Sequence, residues 1–92
     1  MIEYHITRSK HLVIYVENRG FSRVYWAPRP LTPEEADAID RFGITPRCLQ
    51  YDRAQIGELT IPLESAGPDD TIPDQPPVHY VDGQPWLDEV PL

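Results

Sequence analysis

The chain is poor in the residues that usually announce a chemistry. It has one cysteine, Cys48, so no disulfide closes within it, and a reducing compartment is the expectation. Its longest apolar run, residues 12–16, is far below the roughly 20 residues a membrane-crossing helix needs. The opening Met-Ile-Glu-Tyr-His has no basic region followed by an apolar stretch, so no signal peptide is read there. No internal repeat appears. Together these absences lead to the expectation of a soluble, cytoplasmic protein with no membrane partner. Lysine is scarce too: Lys10 stands against seven arginines, a balance that fits a GC-rich bacterial or phage genome.

The most informative absence is of positive charge after residue 61. Residues 62–92 hold seven acids (Glu64, Asp69, Asp70, Asp74, Asp82, Asp88 and Glu89) and no Lys or Arg. Residues 1–61 hold eight acids and eight bases, so the whole net charge of −7 resides in the last third. Seven of the eleven prolines lie there as well. With 92 residues the chain is one small domain, and it buries only about 60–70% of its unfolded surface. Seven of the nine aromatic residues (Tyr4, Tyr15, Phe21, Tyr25, Trp26, Phe42 and Tyr51) fall before residue 62. The reading is a compact body over 1–61 and an extended, acidic, proline-rich arm over 62–92.

Within the body, residues 2–7 alternate, with Ile2, Tyr4 and Ile6 on one side, which predicts a half-buried strand. Residues 11–17 (HLVIYVE) are apolar on both faces and suit a central strand covered on both sides. Asn18-Arg19-Gly20 reads as a three-residue connection to a return strand, FSRVYW, giving a central hairpin over 11–26. Thr32-Pro33-Glu34-Glu35 is a helix start, with Thr32 as N-cap and Glu35 completing a capping box. Gly43 ends the helix, so its expected span is 33–42, with Ala36, Ile39 and Phe42 as its buried face. Residues 47–51 and 56–61 are read as short strands. The fold class expected is therefore α+β: a small antiparallel sheet of three to five strands, one helix and the acidic arm. In the arm, Asp82-Gly83 is a turn signal, while Pro85 argues against a regular second strand after it.

No catalytic constellation emerges. Cys48 with His5, His11 or His79 would make a thiolate–imidazole pair only if the fold brought them together, and a small buried hydrophobe is the commoner role for a free cysteine. His5 and His11 are six apart, and neither Cys48 nor His79 lies at ligand spacing from them, so no metal site and no cofactor are expected. The acid pairs Glu34-Glu35, Asp69-Asp70 and Asp88-Glu89 read as helix capping and solvated charge.

The expectation is thus a non-catalytic protein-binding protein, a small inhibitor or adaptor. Its arm would contact a basic surface of another protein, one that itself binds nucleic acid, through Asp69, Asp70, Asp74, Asp82, Asp88 and Glu89. Tyr80, Trp86 and Leu87 would serve as apolar anchors. Carboxylates would stand in for phosphates, as in phage or mobile-element anti-defence proteins and in antitoxins. A chain cut after Ile61 is expected to lose that binding. One alternative is a subunit of a homo-oligomer or larger assembly that uses the arm for strand or groove docking. Another is a single-stranded nucleic-acid binder through Phe21, Arg23 and Tyr25, against which the net charge of −7 weighs.

Overall fold

The computed structural model describes residues 2–18, 21–50, 52–67, 71–74, 79–81 and 84–86. Strand β2, Leu12–Asn18, is the organising element. It pairs antiparallel with β1 (Ile2–Ile6), Tyr4 opposite Ile14, and with β3 (Phe21–Trp26), Ile14 opposite Tyr25. A short strand β7, Glu64–Ser65, closes the other side of β3, giving the order β1-β2-β3-β7. The pairing of Asn18 with Phe21 leaves two residues, not three, to connect the central hairpin; those two lie outside the described residues. Two-residue loops are the commonest hairpin connections.

Because side chains alternate along a strand, the β2 run of Leu12, Val13 and Ile14 feeds two cores. All three are fully buried. Leu12 and Ile14 join the larger core with Leu31, Ala38, Ile39, Ala54, Ile56, Ile61 and Leu63. Val13 joins a smaller one with Val24, Ala66 and Ile72, flanked by Tyr15 and Trp26. The two-sided strand expected from HLVIYVE is present, and each face has its own cover.

The larger core is covered by the helix and a second sheet. Helix α1, Pro33–Phe42, has the expected bounds, with Thr32 as N-cap. The Glu35 N–H donates to Thr32 Oγ1 at 3.2 Å, and the Thr32 N–H donates to Glu35 Oε1 at 2.9 Å, a reciprocal capping box. At the other end Gly43 has φ 72° and ψ 178°, a conformation nearly restricted to glycine, and its N–H donates to the Ile39 carbonyl at 2.8 Å. The buried face differs from the expected one: Glu35, Ala38 and Ile39 face inward, Ala36 is half-buried, and Phe42 is 71% exposed. Glu35 turns inward because Arg29 meets its carboxylate, at 2.7 Å from each of two guanidinium nitrogens. A carboxylate so paired is no longer driven to the solvent side.

The second sheet has the order β4-β5-β6, built from β4 (Leu49–Gln50), β5 (Arg53–Ile56) and β6 (Leu59–Pro62). Residues 56–61 are therefore not one strand but the tip and return of a hairpin, with Ile56 opposite Leu59. Gly57 takes φ +59° as the first residue of the two-residue turn, which a type II′ turn requires. Thr60 Oγ1 donates to Gln55 Oε1 at 2.7 Å across this hairpin.

The protein is a small α+β fold with one helix and two antiparallel sheets of four and three strands. A further antiparallel pair follows, β8 (His79–Val81) with β9 (Gln84–Trp86), and β9 lies close to β3. Pro85 thus sits inside a strand, opposite Tyr80. A two-stranded sheet has only edge strands, where a missing N–H turned outward costs no ladder bond.

Candidate functional site

The acidic arm is the site singled out by charge, and its root is built into the body. The chain leaves β6 at Pro62, buries Leu63 in the larger core, pairs as β7, and buries Ala66 in the smaller core. The Ala66 N–H donates to the Val24 carbonyl at 2.8 Å, extending the sheet past β7. Ile72 returns to the same face and is 1% exposed. Two residues later the Ser9 hydroxyl donates to the Asp74 carboxylate, and Asp74 takes φ 58°, a left-handed conformation that Asp tolerates better than most residues. The packing of the body therefore continues without a break past residue 61, through Ala66 and again at Ile72. The signal for this was in β2. A strand apolar on both faces needs two covers; one helix and its neighbouring sheet supply only one, and the segment after 62 supplies the other.

Of the arm residues expected to bind a partner, Asp74 is exposed and held by Ser9 as above. Tyr80 and Trp86 lie on the facing strands β8 and β9, Tyr80 opposite Pro85 and Trp86 opposite His79. Asp69, Asp70, Asp82, Leu87, Asp88 and Glu89 lie outside the described residues. Glu64 is exposed on β7, opposite Trp26.

Of the alternative face over Phe21, Arg23 and Tyr25, the last two lie on the same side of the sheet as Leu12, Ile14 and Val16. Tyr25, opposite Ile14, is half-buried against the larger core, so most of its ring is committed to packing. Arg23, opposite Val16, is exposed. The Phe21 side chain lies outside the described residues.

Among the described residues, the buried polar side chains are Thr7, His11 and Glu35. His11 Nδ1 lies 2.7 Å from the Ala27 carbonyl oxygen, which fixes the proton on that nitrogen, since a carbonyl only accepts. The His11 backbone N–H donates to Thr7 Oγ1 at 3.0 Å. The His11 ring sits 5.8 Å from that of Trp26, tilted by 38°, and the indole Nε1 of Trp26 is buried without a hydrogen-bond partner among the described residues. This is a structural histidine in the wall of the smaller core. Cys48 packs against the larger core and lies 3.3 Å from Thr45 Oγ1. His5 and His11, at alternate positions to Ile6 and Leu12, face the opposite side of the sheet. The sheet thus separates Cys48 from both histidines. Among the described residues, no three His, Cys, Asp or Glu side chains converge to hold a metal ion.

The fold shifts the acidity of both Arg29 and Glu35. The hydrogen bonds from Arg29, then the Thr32 N–H and the charge of Arg29, hold the Glu35 carboxyl below its ordinary range despite its burial. The same contact raises the Arg29 guanidinium. Among the described residues, the ion pairs are Arg29–Glu35, Arg41–Asp37 at 3.1 Å and Arg53–Asp52 at 3.4 Å. All three join residues of the electrically balanced first two-thirds, and none draws on the acids after residue 61. No helix among the described residues is long and apolar enough to cross a membrane. No known protein family, curated protein or solved structure matches the chain.

Proposed function

We propose that this is a non-catalytic, cytoplasmic protein-binding protein, an inhibitor or adaptor whose acidic arm binds a basic surface of another protein. The observation that carries this reading is the charge division: seven acids and no base over 62–92, beside a first two-thirds that sums to zero. The described arginine pairs support it, because they pair the body with itself. The anchoring at Ala66, Ile72 and Asp74 supports it as well. An arm whose root is already fixed loses less conformational entropy on binding than a free tail does. Spaced carboxylates on a proline-stiffened chain offer a basic surface what phosphates offer it, so a protein that binds nucleic acid is the partner class favoured.

The cut after Ile61 is the wrong test, since it deletes Leu63, Ala66 and Ile72 from the two cores. The full chain carrying Asp69→Asn, Asp70→Asn, Asp82→Asn, Asp88→Asn and Glu89→Gln keeps those residues. Wild type and this variant, each immobilised, are to be exposed to lysate of the native host, and any retained protein is then purified and titrated directly. Binding by wild type and its loss in the variant is the expected result. Equal affinity for both chains would reject the reading. A gel shift with single-stranded oligonucleotides at low salt, abolished by Arg23→Ala, would favour the Phe21/Arg23/Tyr25 face instead.

A further inference from the structure

Strand β1 forms one edge of the four-stranded sheet, and among the described residues its strand partner is β2 alone. Backbone groups along a strand point alternately to the two sides. The Thr7 N–H donates to the His11 carbonyl at 2.8 Å, so the odd-numbered residues of this segment bond toward β2. By that alternation Ile2, Tyr4 and Ile6 direct their N–H and C=O groups outward, away from the sheet. Such an edge is a template for another strand.

The sequence of β1, Ile-Glu-Tyr-His-Ile, is complementary to itself when reversed. We propose that two copies of this chain pair through β1, antiparallel about a two-fold axis at Tyr4, to form one continuous eight-stranded sheet. Only registers that place even-numbered residues opposite even-numbered ones satisfy the outward groups, and the register centred on Tyr4 gives the longest overlap. There Tyr4 faces Tyr4, and Ile2 faces Ile6 twice, each as a narrow pair exchanging both N–H···O bonds. Every outward-facing backbone group of β1 is then used. Between these pairs Glu3 falls opposite His5 of the second copy, and the axis repeats that contact. These are the wide pairs, whose side chains approach most closely, so each carboxylate meets an imidazole ring rather than a like charge. A one-residue slip would break the ladder and the charge pairing at once.

The same rim carries the large apolar side chains exposed among the described residues, Tyr4 and Phe42. A Cβ placed on Gly43, next to Phe42, would come 2.9 Å from the Tyr4 hydroxyl, so the end of α1 lies directly against this edge. Tyr4 thus lies beside the helix end before any second strand arrives. The interface is symmetric and closed, which ends assembly at the dimer. The proposed pairing is argued from β1 alone, so its test is independent of partner binding.

Sedimentation of the full chain from micromolar to millimolar concentration, near physiological salt, tests the proposal. Wild type is expected to show a reversible monomer–dimer equilibrium. His5→Glu sets Glu3 against a second carboxylate at both symmetry-related contacts and is expected to weaken the dimer roughly tenfold. The double variant Glu3→Lys with His5→Glu sets opposite charges against each other at both contacts and is expected to restore it. The arm-neutralised chain is expected to dimerise as wild type does. Circular dichroism confirms that each variant is folded. A wild type that stays monomeric at millimolar concentration, an unaffected His5→Glu dimer, or a folded double variant that stays as weak as the single one would each overturn the proposal.

Discussion

Ile72→Ala asks whether the segment after residue 61 is core or appendage. Ile72 is 1% exposed and packs with Val13, Val24 and Ala66 on the face of β2 and β3 turned away from the helix. The substitution removes three carbons. At about 0.8 kcal/mol per buried methylene the transfer loss is roughly 2.4 kcal/mol. A cavity contribution adds to this, and Ile→Ala changes in cores cost about 2–5 kcal/mol in total. Ile72 stands on an irregular segment, which relaxes into a void more readily than a sheet does, so the lower part of that range is expected, about 2–3 kcal/mol. Domains of this size have only about 5–15 kcal/mol of stability. The melting temperature should therefore fall by roughly 10–20 °C. Urea unfolding followed by far-ultraviolet circular dichroism gives the free energy directly. Ile72→Val, which removes one methyl group, should cost about 0.5–1.5 kcal/mol. Asp74→Ala, which loses one exposed hydrogen bond to Ser9, should cost about 1 kcal/mol or less. A loss below about 0.5 kcal/mol for Ile72→Ala would place it among ordinary surface substitutions and refute the packing argument.

Three further outcomes follow from the geometry. Because the Glu35 carboxyl is held below its ordinary value by Arg29, its contribution to stability is full above the unfolded carboxylate pKa, about 4.3, and is lost as pH falls through the lower folded value. Arg29→Ala should lower stability at neutral pH and make its decline in acid shallower, read from urea midpoints across that window; parallel curves for the two chains would contradict this. Gly43→Ala forces a side chain into φ 72°, ψ 178° and toward the Tyr4 hydroxyl, and should cost about 1–3 kcal/mol by denaturant titration, whereas a neutral effect would show the turn to be adaptable. Cys48→Ser should leave partner binding unchanged, because Cys48 packs in the larger core on the side of the sheet away from His5 and His11; loss of binding in a folded variant would contradict that placement.

Most of the fold was legible because local rules and tertiary packing agree. The capping box at Thr32 and Glu35 and the glycine at 43 set both ends of α1, period-two patterning set β1, and the turn signal at 18–20 set β3 as its return strand. Where the reading departed from the structure, a long-range partner decided. Glu35 reads as a solvated first-turn acid until Arg29, six residues earlier, reaches it. Phe42 reads as core by spacing, yet its turn of helix ends at the sheet rim, where nothing described covers it. Residues 56–61 read as one strand because Gly57 looks like a gap in a pattern, and only its positive φ reveals a turn. The composition of residues 62–74 suggests an arm; the two apolar faces of β2 were the indication that part of it must pack. The binding reading rests on charge, which is visible in sequence. The pairing edge rests on which way backbone groups point, which is not.

The claim that negative charge beyond the body supplies the affinity is tested most directly by titrating one purified partner with wild type and with the arm-neutralised full chain over a range of salt. Exposed charges are screened within about 8 Å at physiological ionic strength. The wild-type affinity should fall steeply with salt, and the neutralised chain should bind at least roughly tenfold more weakly with a flatter dependence. Equal affinities with equal salt slopes would contradict the account.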